Sequence, residues 1–312
     1  MPPSYEGVNF LLRPAKHVER KMICDCLRRL VVFAPLEGYG YVGFGANSFG
    51  DFSLFHRVLG ITSMVSIESE EEDKDRFELN KPYGAITMAY GLSGAVLGNS
   101  LNPARPTILW LDYDKQLDAS KLGDLRLFVS SGLSGSVLLI TVCAESERRD
   151  DRLGELKSRV GSEAVPPDLQ EVDLEGWGYG RAERRIINSA VQEVLVDRNG
   201  ALPENERFSY KQFASFEYKD GMRMITLGGL LYRESDSDLV ERSGLAETEW
   251  HRPGNDSYRI ASPHLTIREM RFLDSQLPCS LETVKRSGIP LSDVRDYASL
   301  YRFYPRWVDA DV

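Results

Sequence analysis

Short apolar runs separated by amphipathic or charged stretches recur through the first half of the chain. Tyr41-Val42, Met64 to Ile67, Ala85 to Ala89, Thr107 to Leu111 and Ser136 to Val142 each read as a buried strand. Helical character lies between them, in Ser48 to Leu59, in the acidic run SESEEEDKDRFELNKP and in LGDLRLFVSSG. Continuous apolar strands alternating with helices predict a parallel sheet covered on both faces. Ahead of the first strand, residues 15–33 place Val18, Met22, Leu27 and Leu30 along one helical face, with Arg20, Lys21 and Arg28 flanking it. That helix is expected to stop before Pro35.

The pattern changes after the fifth strand. Residues 145–212 are charged and mostly helical in pattern, with a break at Pro166-Pro167 and a second helix over 181–197. FASFEY (213–218) and MRMITL (222–227) flank Lys219-Asp220-Gly221, and Asp-Gly between two strand-like runs predicts a hairpin, continued past Gly228-Gly229 to Tyr232. Residues 233–262 are polar and aperiodic, so surface loop is expected. The tail reads as short helices in LTIREMRFLDSQL, SLETVKRSG and LSDVRDYASLYRFY, and YRFYPRW is expected to dock on the core or on a second copy. Without repeats or a flexible linker, the simplest organisation is one elaborated domain over 1–312. It comprises a helical lead-in (1–38), a core (39–232) carrying the insertion 145–212, and a C-terminal extension (233–312).

Composition narrows this picture only slightly. At 312 residues, 42% hydrophobic and 27% charged, the chain is of ordinary globular type. No apolar run is long enough to span a bilayer, and MPPSYEGVNFLLRPAKHVERKM lacks the apolar core of a signal peptide, so a cytoplasmic protein without membrane contact is expected. Cys24, Cys26, Cys143 and Cys279 show no zinc spacing and read as reduced thiols. The net charge of −9 disfavours nucleic acid as a partner, without excluding a local basic patch.

The chemistry concentrates in residues 39–68, a strand, a turn (Gly43-Phe44-Gly45-Ala46-Asn47), a helix and a second strand ending on Glu68. Gly43 and Gly45 allow a tight turn and close backbone approach to a ligand. The following helix offers its N–H groups to a polar or anionic group. A carboxylate about 20 residues on suits ribose hydroxyls. A nucleoside-like ligand is the expectation. Packing glycines are the plainer alternative, and a dinucleotide is less favoured because position 48 is Ser, not Gly. Asp51 and His56 sit on the helix: Asp51 suits its first turn, and His56 reads as a packing or surface residue.

Asp112 and Asp114 alternate at the end of the fourth strand and would share a face. At the carboxyl edge of a parallel sheet they could orient a nucleophile, act as general base, or bind a divalent ion with Glu145; capping a helix is the alternative. No metal is expected. Arg13, Lys16 and Arg20 ahead of the first strand could hold an acidic substrate over the site mouth, or form a solvated helix face.

Five parallel-type strands followed by an antiparallel hairpin, with VGFGAN, Glu68, LDYD and YKDG in that order, resemble the class I S-adenosylmethionine-dependent methyltransferases over Tyr39 to Tyr232. RPAKHVERKM, GFGANSFGDFSLFH and LDYD are similar to a bacterial group labelled "putative O-methyltransferases". The resemblance implies an α/β fold, Rossmann-like and doubly wound, with a mostly parallel seven-stranded sheet, an antiparallel edge hairpin and helical additions at both termini. It implies S-adenosyl-L-methionine as cofactor, with Gly43 and Gly45 under its methionine part and Asn47 and Ser48 supplying hydrogen bonds. Glu68 would lie on the ribose and Tyr90, Gly91 and Leu92 at the adenine. Asp112 would lie beside the methyl group or the substrate.

The expected reaction is methyl transfer to an oxygen or nitrogen of a small-molecule or protein substrate. Homodimerisation is left open. Two positions depart from the family pattern: Tyr41 stands where an acid is usual, and Asn47 where a third glycine is usual. They motivate the alternative of a non-catalytic cofactor-binding or interaction protein on the same fold.

Overall fold

The computed structural model describes residues 13–148 and 150–306. Helix α1 (Pro14–Arg28) opens on a proline, whose missing N–H costs nothing in a first turn, and buries Val18, Met22 and Leu27 as the periodicity predicts. It tightens into a 3-10 turn (Arg29–Val32) before Pro35.

The alternating half follows. It runs β1 (Gly40–Gly43), α2 (Gly50–Leu59), β2 (Ser63–Glu68), α3 (Lys74–Asn80), β3 (Ile86–Tyr90), α4 (Ser93–Ser100), β4 (Thr107–Asp112), α5 (Ala119–Ser131) and β5 (Ser136–Cys143). Helices α6 (Arg152–Val160) and α7 (Gly178–Asn199) fill the insertion, and β6 (Phe208–Asp220) and β7 (Met222–Arg233) form the hairpin. Gly221 turns it at φ 112°, a conformation open to glycine. The remainder carries α8 (Ser237–Ser243), β8 (Tyr258–Ile260), α9 (Ile267–Asp274) and α10 (Leu291–Leu300).

The sheet order is β3-β2-β1-β4-β5-β7-β6-β8. β1 to β5 are parallel, and β7 runs antiparallel to both β5 and β6. This is the Rossmann-like, mostly parallel sheet with an antiparallel hairpin that the sequence pattern implies, with eight strands instead of seven. The strand order reverses between β1 and β4, so the crevice outside their carboxyl ends is where an open α/β sheet offers a ligand site.

Side chains alternate between two cores. Ile108, Trp110, Val137 and Leu139 face Val18, Met22, Phe52 and Phe55 of α1 and α2. Leu109, Leu111, Leu138 and Ile140 face Leu97, Leu125, Leu156 and Ile187 of α4 to α7. Burial on both faces explains why these strands read as unbroken apolar runs.

Three expectations are corrected. The region 233–262 is not all loop: α8 and β8 lie within it, and Leu245, Trp250 and Ile260 are buried. β8 pairs parallel with β6, fixed by Arg259 donating to Glu217 at 3.0 Å, while buried Arg184 of α7 donates to the same carboxylate at 3.1 Å. Residues 280–288 form turns, not a helix. Arg20 is not on a solvated flank but is 9% exposed.

The tail docks on the core within the described residues. Phe303 packs edge-on against Trp250 at 5.3 Å, and the Tyr304 hydroxyl donates to the Pro263 carbonyl at 2.7 Å. Trp307 of the aromatic tail and residues 1–12 of the lead-in lie outside the described residues. Cys24, Cys26, Cys143 and Cys279 are free, and burial pushes the Cys24 and Cys26 thiols up to about 12. His56 of α2 packs on Tyr83 and meets the Ile61 carbonyl through Nδ1, a packing role.

Candidate functional site

The chain between β1 and α2 is folded tightly onto the tip of β2. A Cβ on Gly43 would stand 2.6 Å from the Tyr41 hydroxyl, and one on Gly45 would run into the Phe49 ring and lie 2.8 Å from Ser66 Oγ. Both glycines are therefore required by the chain's own packing, whatever else approaches the loop. Ala46 and Phe49 both hold φ at 45°, a left-handed conformation that costs free energy at non-glycine residues and clusters at ligand sites.

Glu68 organises this loop. The Gly45 N–H donates to Ser66 Oγ at 2.9 Å, the Ala46 N–H to Glu68 Oε1 at 2.8 Å, and Ser66 Oγ to the same Oε1 at 2.9 Å. The Gly91 N–H, after β3, donates to the Glu68 backbone carbonyl at 2.9 Å. Burial pushes the Glu68 carboxyl up to about 7, against the pull of the Ser66, Ala46 and Gly45 hydrogen bonds. Its second oxygen is left for a partner other than the loop. Nearby, both amide atoms of Asn47 are buried without a hydrogen-bond partner among the described residues. A buried amide in that state calls for an explanation. Ser48 is half-buried, and no side chain caps the N-terminus of α2.

At the end of β3 Tyr90 is half-buried, and two residues on Leu92 is an apolar side chain 73% exposed. Phe44 packs on Tyr113 with ring centroids 5.1 Å apart. The Tyr113 hydroxyl and Ser93 Oγ both donate to Asp124 Oδ2, each at 2.5 Å, which locks the rim between β4, α4 and α5.

On the other side of the crevice α1 crosses the carboxyl edge. Its first turn is held by Asp220 of the hairpin, which accepts from the Ala15 N–H at 3.2 Å and the Lys16 N–H at 2.9 Å. Lys16, 1% exposed, lies 2.6 Å from Asp112 Oδ1 and 2.7 Å from Glu19 Oε2, donates to the Tyr218 hydroxyl at 3.2 Å, and sits 4.6 Å above the Trp110 ring. Burial works to raise the Asp112 carboxyl, but the charges of Lys16, Arg20 and Arg13 hold it below the usual range. Burial pushes Glu19 the other way, upward, despite Lys16. Tyr41 donates its hydroxyl to Asp51 Oδ2 beneath the loop. The residue at the position where an acid is usual thus reaches an acid ten positions later.

The site residues expected from the sequence divide accordingly. Gly43, Gly45, Asn47, Ser48, Glu68, Tyr90, Gly91 and Leu92 gather at the carboxyl ends of β1 to β3, and Lys16 and Asp112 meet at the end of β4, with the Arg13 charge felt at Asp112. Asp114 lies apart: the chain leaves the extended conformation after Asp112, and Asp114 is exposed. Glu145 accepts from the Arg223 N–H at 2.8 Å, and among the described residues no group of three metal-ligating side chains exists. Glu19, Ser66, Asp124 and Tyr218 were not singled out in the sequence. The spacing of Lys16, Glu19 and Arg20, which puts them on one helical face, was the available signal.

A cavity of about 520 Å³ opens at the opposite, amino edge of the sheet, between the end of α7 and the start of β6. Its polar side chains are occupied: Asn199 bonds both the N–H and the carbonyl of Phe208 at 2.8 Å, Ser209 donates to Glu234, and Arg207 Nε donates to the Leu202 carbonyl at 3.3 Å. Volume alone does not make it the better site.

Comparison with known proteins adds two findings. A family described as "Putative O-methyltransferase" matches residues 8–312. Among solved structures, the chain is similar to the O-methyltransferase TomG from Streptomyces achromogenes, solved with SAM. The two share 13% identity, covering 66% of this chain and 79% of that one, with a TM-score of 0.35. It is also similar to an arsenic(III) S-adenosylmethionine methyltransferase from Chlamydomonas reinhardtii, at 12% identity, 64% and 65% coverage and a TM-score of 0.38. No curated protein matches.

Proposed function

The chain belongs to this O-methyltransferase family, and on that premise we propose that it binds S-adenosyl-L-methionine in the crevice outside β1 and β4 and methylates an oxygen of its acceptor. One observation carries the cofactor reading. Glu68 stands at the tip of β2 with one oxygen tied to the Ala46 N–H and the other left to face a ribose hydroxyl. The unpaired amide of Asn47 supports it, and the exposed Leu92 and the Phe44–Tyr113 pair offer apolar surface for a base.

The cofactor supplies a methyl group already activated on a sulfonium. Transfer of that methyl to the acceptor oxygen would leave the C–S electron pair on sulfur, and the proton of the acceptor hydroxyl would pass to water. The protein's share is then proximity and orientation. We assign Asp112 to receive the hydrogen bond of the acceptor hydroxyl, and the charge of Lys16 favours its ionised form. Arg13 adds positive charge for an acidic acceptor. Asp114, exposed, is left to contact an acceptor from outside the crevice.

Isothermal calorimetry with S-adenosylmethionine, S-adenosylhomocysteine and NAD tests the reading. Heat with the first two only is expected; silence with all three at protein concentrations near saturation overturns it. A second reading, cofactor binding without transfer, is favoured by one feature: the Asp112 carboxylate is already neutralised by Lys16. Transfer of labelled methyl to a cell extract decides between them. No helix among the described residues is long and apolar enough to cross a membrane. The four free cysteines suit a reducing bacterial cytoplasm as the place of action, with a small molecule or a protein as acceptor.

A further inference from the structure

One face of β6 holds Lys16 at both of its ends. Tyr218 and Asp220 stand two positions apart on that strand, so their side chains share a face, the one packed on α1. Asp220 accepts from the Lys16 N–H at 2.9 Å and from the Ala15 N–H at 3.2 Å. Arg13, which precedes α1, does not cap that turn with its side chain, so the hairpin supplies the cap across 204 positions. At the far end of the residue, the Lys16 ammonium donates to the Tyr218 hydroxyl at 3.2 Å.

This double hold settles a competition. The ammonium lies 2.7 Å from Glu19, three positions on along its own helix, and 2.6 Å from Asp112 on the sheet. Glu19 is the local partner, since residues three apart on a helix meet without help from the rest of the fold. A lysine stem is long and flexible, so nothing in Lys16 itself aims it at Asp112. Tyr218 on one side and the Trp110 ring, 4.6 Å away, keep the ammonium at the sheet edge. There its charge lowers the Asp112 carboxyl against the upward push of burial. An ammonium carries three hydrogens, and Asp112, Glu19 and Tyr218 surround it, so loss of one neighbour frees it to turn. Asp112 also feels the charges of Arg13, Arg20 and Glu19 of α1 and Asp51 of α2, and it faces the Tyr41 and Tyr218 hydroxyls.

We propose that Tyr218 and Asp220 are positioning residues: by fixing Lys16 at its amide and its ammonium, they give Asp112 a counter-charge that would otherwise belong to Glu19 alone. The consequence for methyl transfer rests on the assignment of Asp112 above; the positioning does not.

Tyr218→Phe keeps the ring and removes the hydroxyl. Asp220→Ala removes both backbone bonds, and Asp220→Asn keeps an acceptor for one of them. Carbon-13 NMR of the aspartate carboxyls in the full-length protein, with Asp112→Asn to identify the signal, follows the Asp112 titration directly. Tyr218→Phe and Asp220→Ala are expected to move it up in pH, and Asp220→Asn to move it less. Transfer of labelled methyl from S-adenosylmethionine to a cell extract should fall about tenfold in the first two variants at the acid end of the pH range. That deficit should close as pH rises and Asp112 regains its charge, with S-adenosylhomocysteine affinity kept within about twofold. Damage to the fold would lower transfer equally at every pH. An Asp112 signal that titrates as in the unaltered protein, or a loss independent of pH, overturns the proposal. If the unaltered protein binds S-adenosylhomocysteine and transfers no methyl, the methyltransferase reading fails, and the NMR titration alone decides the positioning.

Discussion

The two edges of the sheet are built in opposite ways. At the amino edge there is open volume, about 520 Å³, and Asn199 and Arg207 bond the backbone around it while Ser209 donates to Glu234. At the carboxyl edge the chain packs closely, yet Asn47 and Arg20 hold buried polar atoms without hydrogen-bond partners among the described residues. Two residues of the loop there, Ala46 and Phe49, sit at positive φ. Folding tolerates such costs where a ligand or a reaction recovers them. On the proposed reading, the unpartnered amide of Asn47 marks the cofactor edge more than empty space does.

The largest effect should come from removing the cation that holds the carboxyl edge together. Lys16→Met leaves Asp112 and Glu19 without their shared counter-charge in a buried setting. A loss of about 3–5 kcal/mol is expected, read from urea denaturation. If stability is unchanged, the acids are not held as described.

A paired experiment then separates the edges by function. Glu68→Ala should weaken S-adenosylhomocysteine about tenfold or more, a loss of about 1.4 kcal/mol, by calorimetry. Asn199→Ala, at the amino edge, should lower stability by about 1–3 kcal/mol through the two backbone groups of Phe208 it leaves unbonded, with ligand affinity retained. The reverse pattern would exchange the roles of the two edges.

The smallest expected effect concerns pH. Glu183 of α7 is fully buried, accepts from the Leu117 N–H at 3.1 Å, and is pushed up to about 8 by burial. Because the folded form binds the proton more tightly than the unfolded chain, its contribution is complete below 4.5 and declines as pH rises toward about 8. Glu183→Gln keeps an acceptor for Leu117 and should flatten the fall in melting temperature across that window. Some slope remains, since Glu68 and Glu19 are raised in the same direction. An unaltered slope would mean that Glu183 is ionised in the folded protein.

What the sequence made legible follows from range. The strands of the βαβ unit announce themselves because Met64, Ile67 and the runs at β4 and β5 are buried locally and densely. Glu68 and the glycine turn could be placed because their spacing is set by one short crossover. Lys16 and Arg20 read equally well as a solvated flank, because a charged helical face looks the same in either setting. What buries them is the docking of α1 over Asp112, 96 positions away, and its tether to Asp220, 204 positions from Lys16. β8 escaped for a related reason: three residues in a polar stretch carry no periodicity, and the partner of Arg259, Glu217, lies 42 positions away. Asp112 and Asp114 were expected on a common face. They separate because the strand ends at Asp112, where the Tyr113 N–H still bonds the Thr141 carbonyl while Asp114 bends out to solvent.

Hydrogen exchange of the full-length protein with and without S-adenosylhomocysteine tests the central claim most directly, since it reports where the ligand sits without altering the chain. Slowed exchange is predicted for the backbone at 43–51, 66–69 and 90–93, with residues 192–210 unaffected. Protection confined to 192–210, around the amino-edge cavity, would contradict the account.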